Sequence, residues 1–254
     1  CQTKKAEVPY YIENISTNIY SLEELCYYLY HNLYLVDSSV INENLCVWIS
    51  EQLELPRLAA KIRLHLGKFA SAEDVLYPIF KEINYLTYEE LKALNVRLAK
   101  WDQEAPVLRE KRKGDALVEN RMYVNAIRVY QKLLKRENLD QAKQGLTMNI
   151  WHNLGCAYSY LFQMEKATEY FRKAYEGSRS REALEAYLIA FGMTRTSSEY
   201  EKMAKSIGTE KEVLQNIRER LQEFSKTPEL VVNKTNMDEI LTRLTREYHR
   251  STGS

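Results

Sequence analysis

Residues 151–158 read Trp151-His152-Asn153-Leu154-Gly155-Cys156-Ala157-Tyr158, and Ala167, Phe171 and Ala174 follow. Trp151, Leu154 and Tyr158 stand three and four apart, so on an α-helix they share one face. Phe171 and Ala174 form the packing face of a second helix. Gly155 and Ala167 are small where the paired helices cross closely. The stretch predicts two antiparallel helices joined by a short connection.

The order W-x-x-L-G-x-x-Y, with Ala nine residues after the Tyr and Phe four after the Ala, resembles a tetratricopeptide repeat. The customary Pro after the second helix is absent, and Arg179 stands near its place. A weaker copy lies upstream: Gly114, Leu117, Ala126, Tyr130 and Leu133 each precede Gly155, Tyr158, Ala167, Phe171 and Ala174 by the same interval. That interval exceeds the usual repeat, and residues 136–147, with Gly145, are expected to absorb the excess. A helix through Ala183, Leu184, Tyr187, Leu188 and Phe191, paired with one through Tyr200, Met203 and Ile207, reads as a third, degenerate unit. The resemblance covers residues 105–208 and is most specific in 149–175.

The resemblance implies an all-α fold of antiparallel helix pairs stacked as a right-handed solenoid, with the first helix of each pair lining a groove. Carried over position by position, the groove residues are Asn149, His152, Asn153, Cys156, Ser159 and Tyr160. In the weaker unit they are Lys111, Asp115, Val118 and Glu119. Some tetratricopeptide domains clamp a peptide carboxylate with Lys, Asn and Arg at such places. Lys111 and Asn153 fit that clamp, whereas Asp115 puts a negative charge where an Asn donor belongs.

Outside the repeat, helix-start signals organise the chain. Ser21 with Glu24, Thr87 with Glu90, Thr196 with Glu199 and Thr209 with Glu212 have the spacing of capping boxes, and Ser71 with Asp74 is a weaker version. Pro56 and Pro106 suit first helical turns, while Pro78 implies a kink or a late start. Apolar stripes at helical spacing follow: Leu22, Leu25, Tyr28, Leu29 and Leu33; Ile41, Leu45, Trp48, Ile49 and Leu53; Leu58, Ile62 and Leu66; Val75, Ile79 and Ile83; Leu91, Leu94, Val96 and Leu98. Val213, Leu214, Ile217, Leu221 and Phe224 line a longer helix. Ile240, Leu241, Leu244 and Tyr248 line a last one, capped by Asn236, with Arg243, Arg246 and Arg250 opposite. Residues 10–20 tolerate β structure and receive no assignment. The predicted organisation is a disordered lead at 1–9, an N-terminal helical region at 10–104, repeats at 105–208 and capping helices at 209–254, with a loose Ser-Thr-Gly-Ser end.

The charge balance is near neutral, with 36 basic and 35 acidic residues, so no nucleic acid is expected as a partner. Only 8 Gly and 5 Pro occur, too few for an all-β chain. No stretch is apolar enough for a membrane span, and no signal peptide is visible. Cys26, Cys46 and Cys156 form no C-x-x-C; Cys26 and Cys156 lie in apolar helical patterns and read as buried free thiols. Widely spaced cysteines suit a reducing, cytoplasmic setting; a lipoprotein processed at Cys1 is the alternative.

Catalytic constellations are missing. His31, His65, His152 and His249 are far apart, the glycines form no phosphate-binding loop, and Glu23-Glu24 and Glu89-Glu90 occupy first helical turns. No cofactor, metal or catalytic residue is predicted. The expected function is a non-catalytic scaffold or adaptor that binds a peptide or helix of another protein. The alternative is a nucleic-acid-binding helical-repeat regulator, and a homo-oligomer is compatible with either. Tyr27, Tyr28, Tyr30 and Tyr34 offer a second aromatic binding face, against which core packing is the plainer reading.

Overall fold

The computed structural model describes residues 3–67, 72–137, 139–225 and 237–252. Among these the chain is helical apart from one two-stranded ribbon. It divides into two compact units, Cys1–Asn120 and Arg121–Ser254.

In the first unit, β1 (Tyr10–Ile12) pairs antiparallel with β2 (Thr17–Ile19), which assigns the segment the sequence left open. Ser16, at φ 48°, turns the chain between them. Residues 3–8 of the lead are held against the rest of the unit. Ala6 N–H donates to Tyr20 O at 2.7 Å, Val8 N–H to the Gln52 side chain, and Trp48 Nε1 to Val8 O at 2.8 Å. Backbone groups tie these residues down together with the Lys4–Glu54 ion pair, and neither kind of contact marks hydrophobic periodicity.

Six helices follow: α1 (Leu22–His31), α2 (Glu43–Glu51), α3 (Pro56–Arg63), α4 (Ala72–Glu82), α5 (Tyr88–Gln103) and α6 (Pro106–Glu119). Ser21 caps α1 and Thr87 forms a full capping box on α5; Pro56 and Pro106 open α3 and α6. Pro78 lies inside α4, which rules out a late start. The stripe Ile41, Leu45, Trp48, Ile49 and Leu53 is buried, as are Val75, Ile79 and Ile83. Val96 departs from expectation: it is 66 % exposed, because Leu94 and Leu98 take the buried face of α5.

The tyrosine cluster is spent mostly inside this unit. Tyr28 is buried and donates to Asn14, Tyr30 meets Phe80 edge-on under Arg97, and Tyr34 lies under Arg112. α1 stops at His31, so Tyr34 belongs to a 3-10 turn and does not share a helix face with Tyr27 and Tyr30. Tyr27 alone of the four is exposed.

The second unit holds α7 (Tyr123–Leu134), α8 (Leu139–Ala142), α9 (Leu146–Tyr160), α10 (Met164–Ser178), α11 (Arg181–Thr194), α12 (Ser197–Ile207), α13 (Lys211–Ser225) and α14 (Met237–Thr252). α9 packs against α7 on one side and α10 on the other, and α10 packs against α11. α8 and Gly145, at φ 73°, fill the extra length between repeats.

The turn before α7 and the turn before α10 have nearly the same backbone. Asn120 (φ −83°, ψ 8°), Arg121 (φ 62°) and Met122 (φ −87°, ψ 59°) match Leu161 (φ −89°, ψ 7°), Phe162 (φ 57°) and Gln163 (φ −87°, ψ 66°). The register is the one read from Gly114 and Gly155. The turn before α3 is related, with Glu54 at φ 59° followed by Leu55 at ψ 60°.

α11, α12 and α13 share one cluster around Leu188, Tyr200, Val213 and Ile217. Thr196 and Glu199 form the predicted capping box of α12. The box expected at Thr209 does not form: α13 begins at Lys211, and the Thr209 hydroxyl is buried without a partner. α14 packs on α7, but Leu241, Leu244 and Tyr248 stay at least half exposed, so its apolar stripe does not seal a core. Ser251 and Thr252, expected to be loose, continue α14. The expectations at Cys1, Ser71 and Asn236 and at the side chains of Phe224 and Arg250 fall outside the described residues.

Candidate partner-binding site

α9 organises the candidate site in the second unit. Its buried side, Ile150, Leu154, Gly155, Ala157 and Tyr158, faces its helical neighbours. Gly155 permits the crossing with α10: a Cβ there would stand 2.6 Å from the Phe171 ring. Tyr158 accepts from Gln131 of α7 at 3.0 Å and stacks on Tyr170 of α10 at 5.5 Å. The helix is thus fixed on two sides by the residues that carry the repeat pattern.

The 3.6-residue period gathers Asn149, His152, Asn153, Cys156, Ser159 and Tyr160 on one remaining arc. They are not equally free. Asn149 and Tyr160 are exposed, and the other four are half-buried. Asn153 Nδ2 donates to Tyr130 Oη at 3.3 Å, and Ser159 Oγ donates to Gly155 O at 2.9 Å. Tyr160 stacks on Tyr123 of α7, centroids 4.7 Å apart. Cys156 is half-buried rather than buried, and desolvation pushes its thiol pKa up. Cys26 and Cys46 are the buried free thiols, and burial raises the Cys26 thiol to about 12.

His152 lies 5.3 Å from the Phe171 ring. Burial lowers its pKa, and the Glu182 carboxylate partly opposes that, so the imidazole is neutral at pH 7. His152 and Asn149 line a cleft of about 380 Å³ with Met148, Ser178, Ser180 and Glu182. Ser180 caps α11, which brings Glu182 to the cleft through its first turn. Nothing in the repeat pattern pointed to Ser180 or Glu182; the only available signal was the Ser180 cap ahead of Ala183.

Lys111, Asp115, Val118 and Glu119 lie on α6 in the first unit. Lys111 donates to Asp115 at 2.7 Å one helical turn away, so its charge is answered within its own helix. Glu119 is exposed and Val118 half-buried. Among the described residues no three His, Cys, Asp or Glu side chains gather as metal ligands, and no helix is long and apolar enough to cross a membrane.

Helices paired in this way define a helical-repeat protein. The repeat is of the tetratricopeptide type: residues 149–177 match the family model of the tetratricopeptide repeat. No curated protein and no solved structure matches the chain. Repeats of this family commonly mediate protein interactions and are typically non-catalytic.

Proposed function

We propose that the protein is a non-catalytic scaffold that binds a peptide or helix of a partner protein along the arc of α9 that carries Asn149, His152 and Tyr160. The observation that supports it most is the cleft beside that arc, where Asn149 and His152 border an open space at the start of α11. The arc supplies an exposed aromatic ring at Tyr160 and an exposed amide at Asn149. Aromatic anchors with a few polar groups that fix register are what peptide recognition by a helical surface requires.

The test is affinity capture with wild-type protein and the variant Asn149→Glu plus Tyr160→Ala. Both residues are exposed, so the fold, checked by circular dichroism, is kept. A partner held by the wild type loses at least about tenfold in affinity to the variant. Equal capture by both proteins excludes the α9 arc.

A further inference from the structure

The last helix of the second unit leaves an apolar face open. α14 lies on α7, and of its described side chains only Ile240, Ser251 and Thr252 are half-buried. Met237, Leu241, Leu244 and Tyr248 are between 45 % and 63 % exposed. Their spacing of four, three and four residues sets them in one line along the helix, the kind of seam through which helices pair. Large apolar side chains gathered on one exposed face mark a surface that meets a partner.

The pattern of that face matches a second copy of itself. Turned end for end, the stripe maps onto itself: Met237 comes opposite Tyr248, and Leu241 opposite Leu244. This is the self-complementarity that a twofold interface requires. The charges agree with the same arrangement. At 3.6 residues per turn, Asp238 and His249 border the stripe on the same side, at opposite ends of the helix. In an antiparallel pair, Asp238 of one copy stands within about 3 Å along the axis of the level of the other copy's His249. The opposed helix dipoles attract, and the acidic first turns, Asp238 and Glu239, lie apart. A parallel copy would set the two acidic turns side by side. A membrane surface is the poorer occupant: Asp238 and Glu247 border the stripe on its two sides, and the helix has no Trp or Phe to enter the headgroup layer. We infer that α14 pairs antiparallel with α14 of a second copy of this chain through Met237, Leu241, Leu244 and Tyr248. One helix against one helix is a small interface, so the dissociation constant falls at about 1–100 μM. The surface uses none of the α9 arc and does not depend on that reading.

Sedimentation velocity of the full chain, at concentrations from below to above that range, tests the pairing. A monomer that passes into a dimer as concentration rises is expected. Leu241→Glu with Leu244→Glu keeps the circular dichroism of the wild type, because both side chains are at least half exposed, and stays monomeric throughout. Asp238→Lys and His249→Glu each weaken pairing about threefold to tenfold, since the lost contact occurs twice in the dimer. An equimolar mixture of these two variants pairs better than either alone: the introduced charges face each other, and the remaining Asp238 faces the remaining His249. Damage to the fold does not imitate that gain. A monomer at every concentration, or a dimer that the two glutamate substitutions leave intact, overturns the proposal. No gain on mixing overturns the antiparallel arrangement. Binding to phosphatidylserine-containing vesicles that the glutamate substitutions abolish, with no dimer in solution, assigns the face to a membrane and overturns the proposal as well.

Discussion

The α9–α10 pair and the α2–α3 pair reach a related backbone from different sequences. Each has a left-handed residue in its turn, Phe162 or Glu54, then a cap residue with ψ near 60°, Gln163 or Leu55. Each places a fully buried alanine in the second helix, five residues beyond the left-handed one: Ala167 or Ala59. The turns are not identical, since Gln163 N–H reaches back to Tyr158 O and Leu55 N–H to Ile49 O. Where α9 has Trp151, Leu154, Gly155 and Tyr158, α2 has Glu43, Cys46, Val47 and Ser50. The helical hairpin is therefore set by the turn and by a small residue in the second helix. The aromatic signature serves one particular crossing, Phe171 over Gly155. α2 spends its aromatic residue elsewhere: Trp48 bonds Val8 O and meets the Tyr10 ring at 5.8 Å.

The comparison breaks most visibly at the alanines. Ala167→Leu and Ala59→Leu each force extra carbons into a fully packed contact, at a cost of about 1–3 kcal/mol. Urea denaturation of the two variants should show losses of similar size. A loss at Ala167 with none at Ala59 means that the α2–α3 pair does not close in the same way.

A smaller effect of opposite sign is expected at the turns. An L-residue in the left-handed region costs about 1–2 kcal/mol, part of which glycine returns through its freer unfolded chain. Phe162→Gly and Glu54→Gly should each stabilise by about 0.5–1 kcal/mol. Phe162 is 83 % exposed and loses no packing; the Glu54 ion pair with Lys4 is exposed and contributes little. Gln163→Gly, at negative φ, should instead destabilise. A stabilised Phe162→Gly beside a destabilised Glu54→Gly would separate the two turns.

These elements also show what was legible beforehand. Residues 149–177 could be read because the residues in contact are themselves the pattern. The α2–α3 turn could not, since a left-handed Glu leaves no mark on hydrophobic periodicity. The ties of residues 3–8 were not legible because backbone groups and an exposed Lys4–Glu54 pair make them, and the Thr209 cap does not form because α13 starts one residue beyond the position that box requires. Asn149 and Tyr160 are exposed on α9; their place on the arc was implied by the family resemblance. The cleft beside His152 draws Met148, Ser178 and Glu182 from three consecutive helices, so no single segment of sequence records it.

The burial of His152 beside that cleft gives the last and smallest effect. At the offset of His152 from the left-handed residue, α2 has Asn44, which is exposed. His152, half-buried against Phe171, has a pKa held below its ordinary value of 6.5 by burial. The unfolded chain therefore binds this proton more readily than the folded one. Stability contributed by the neutral ring is present above about pH 6.5 and falls as the pH drops below it. His152→Gln should flatten the decline of the denaturation midpoint between about pH 7 and pH 5. Asn44→His, which puts the same group in water, should add no slope. An unchanged profile in His152→Gln would mean that the ring stays solvated beside Glu182 and that the cleft is open wider than its lining residues indicate.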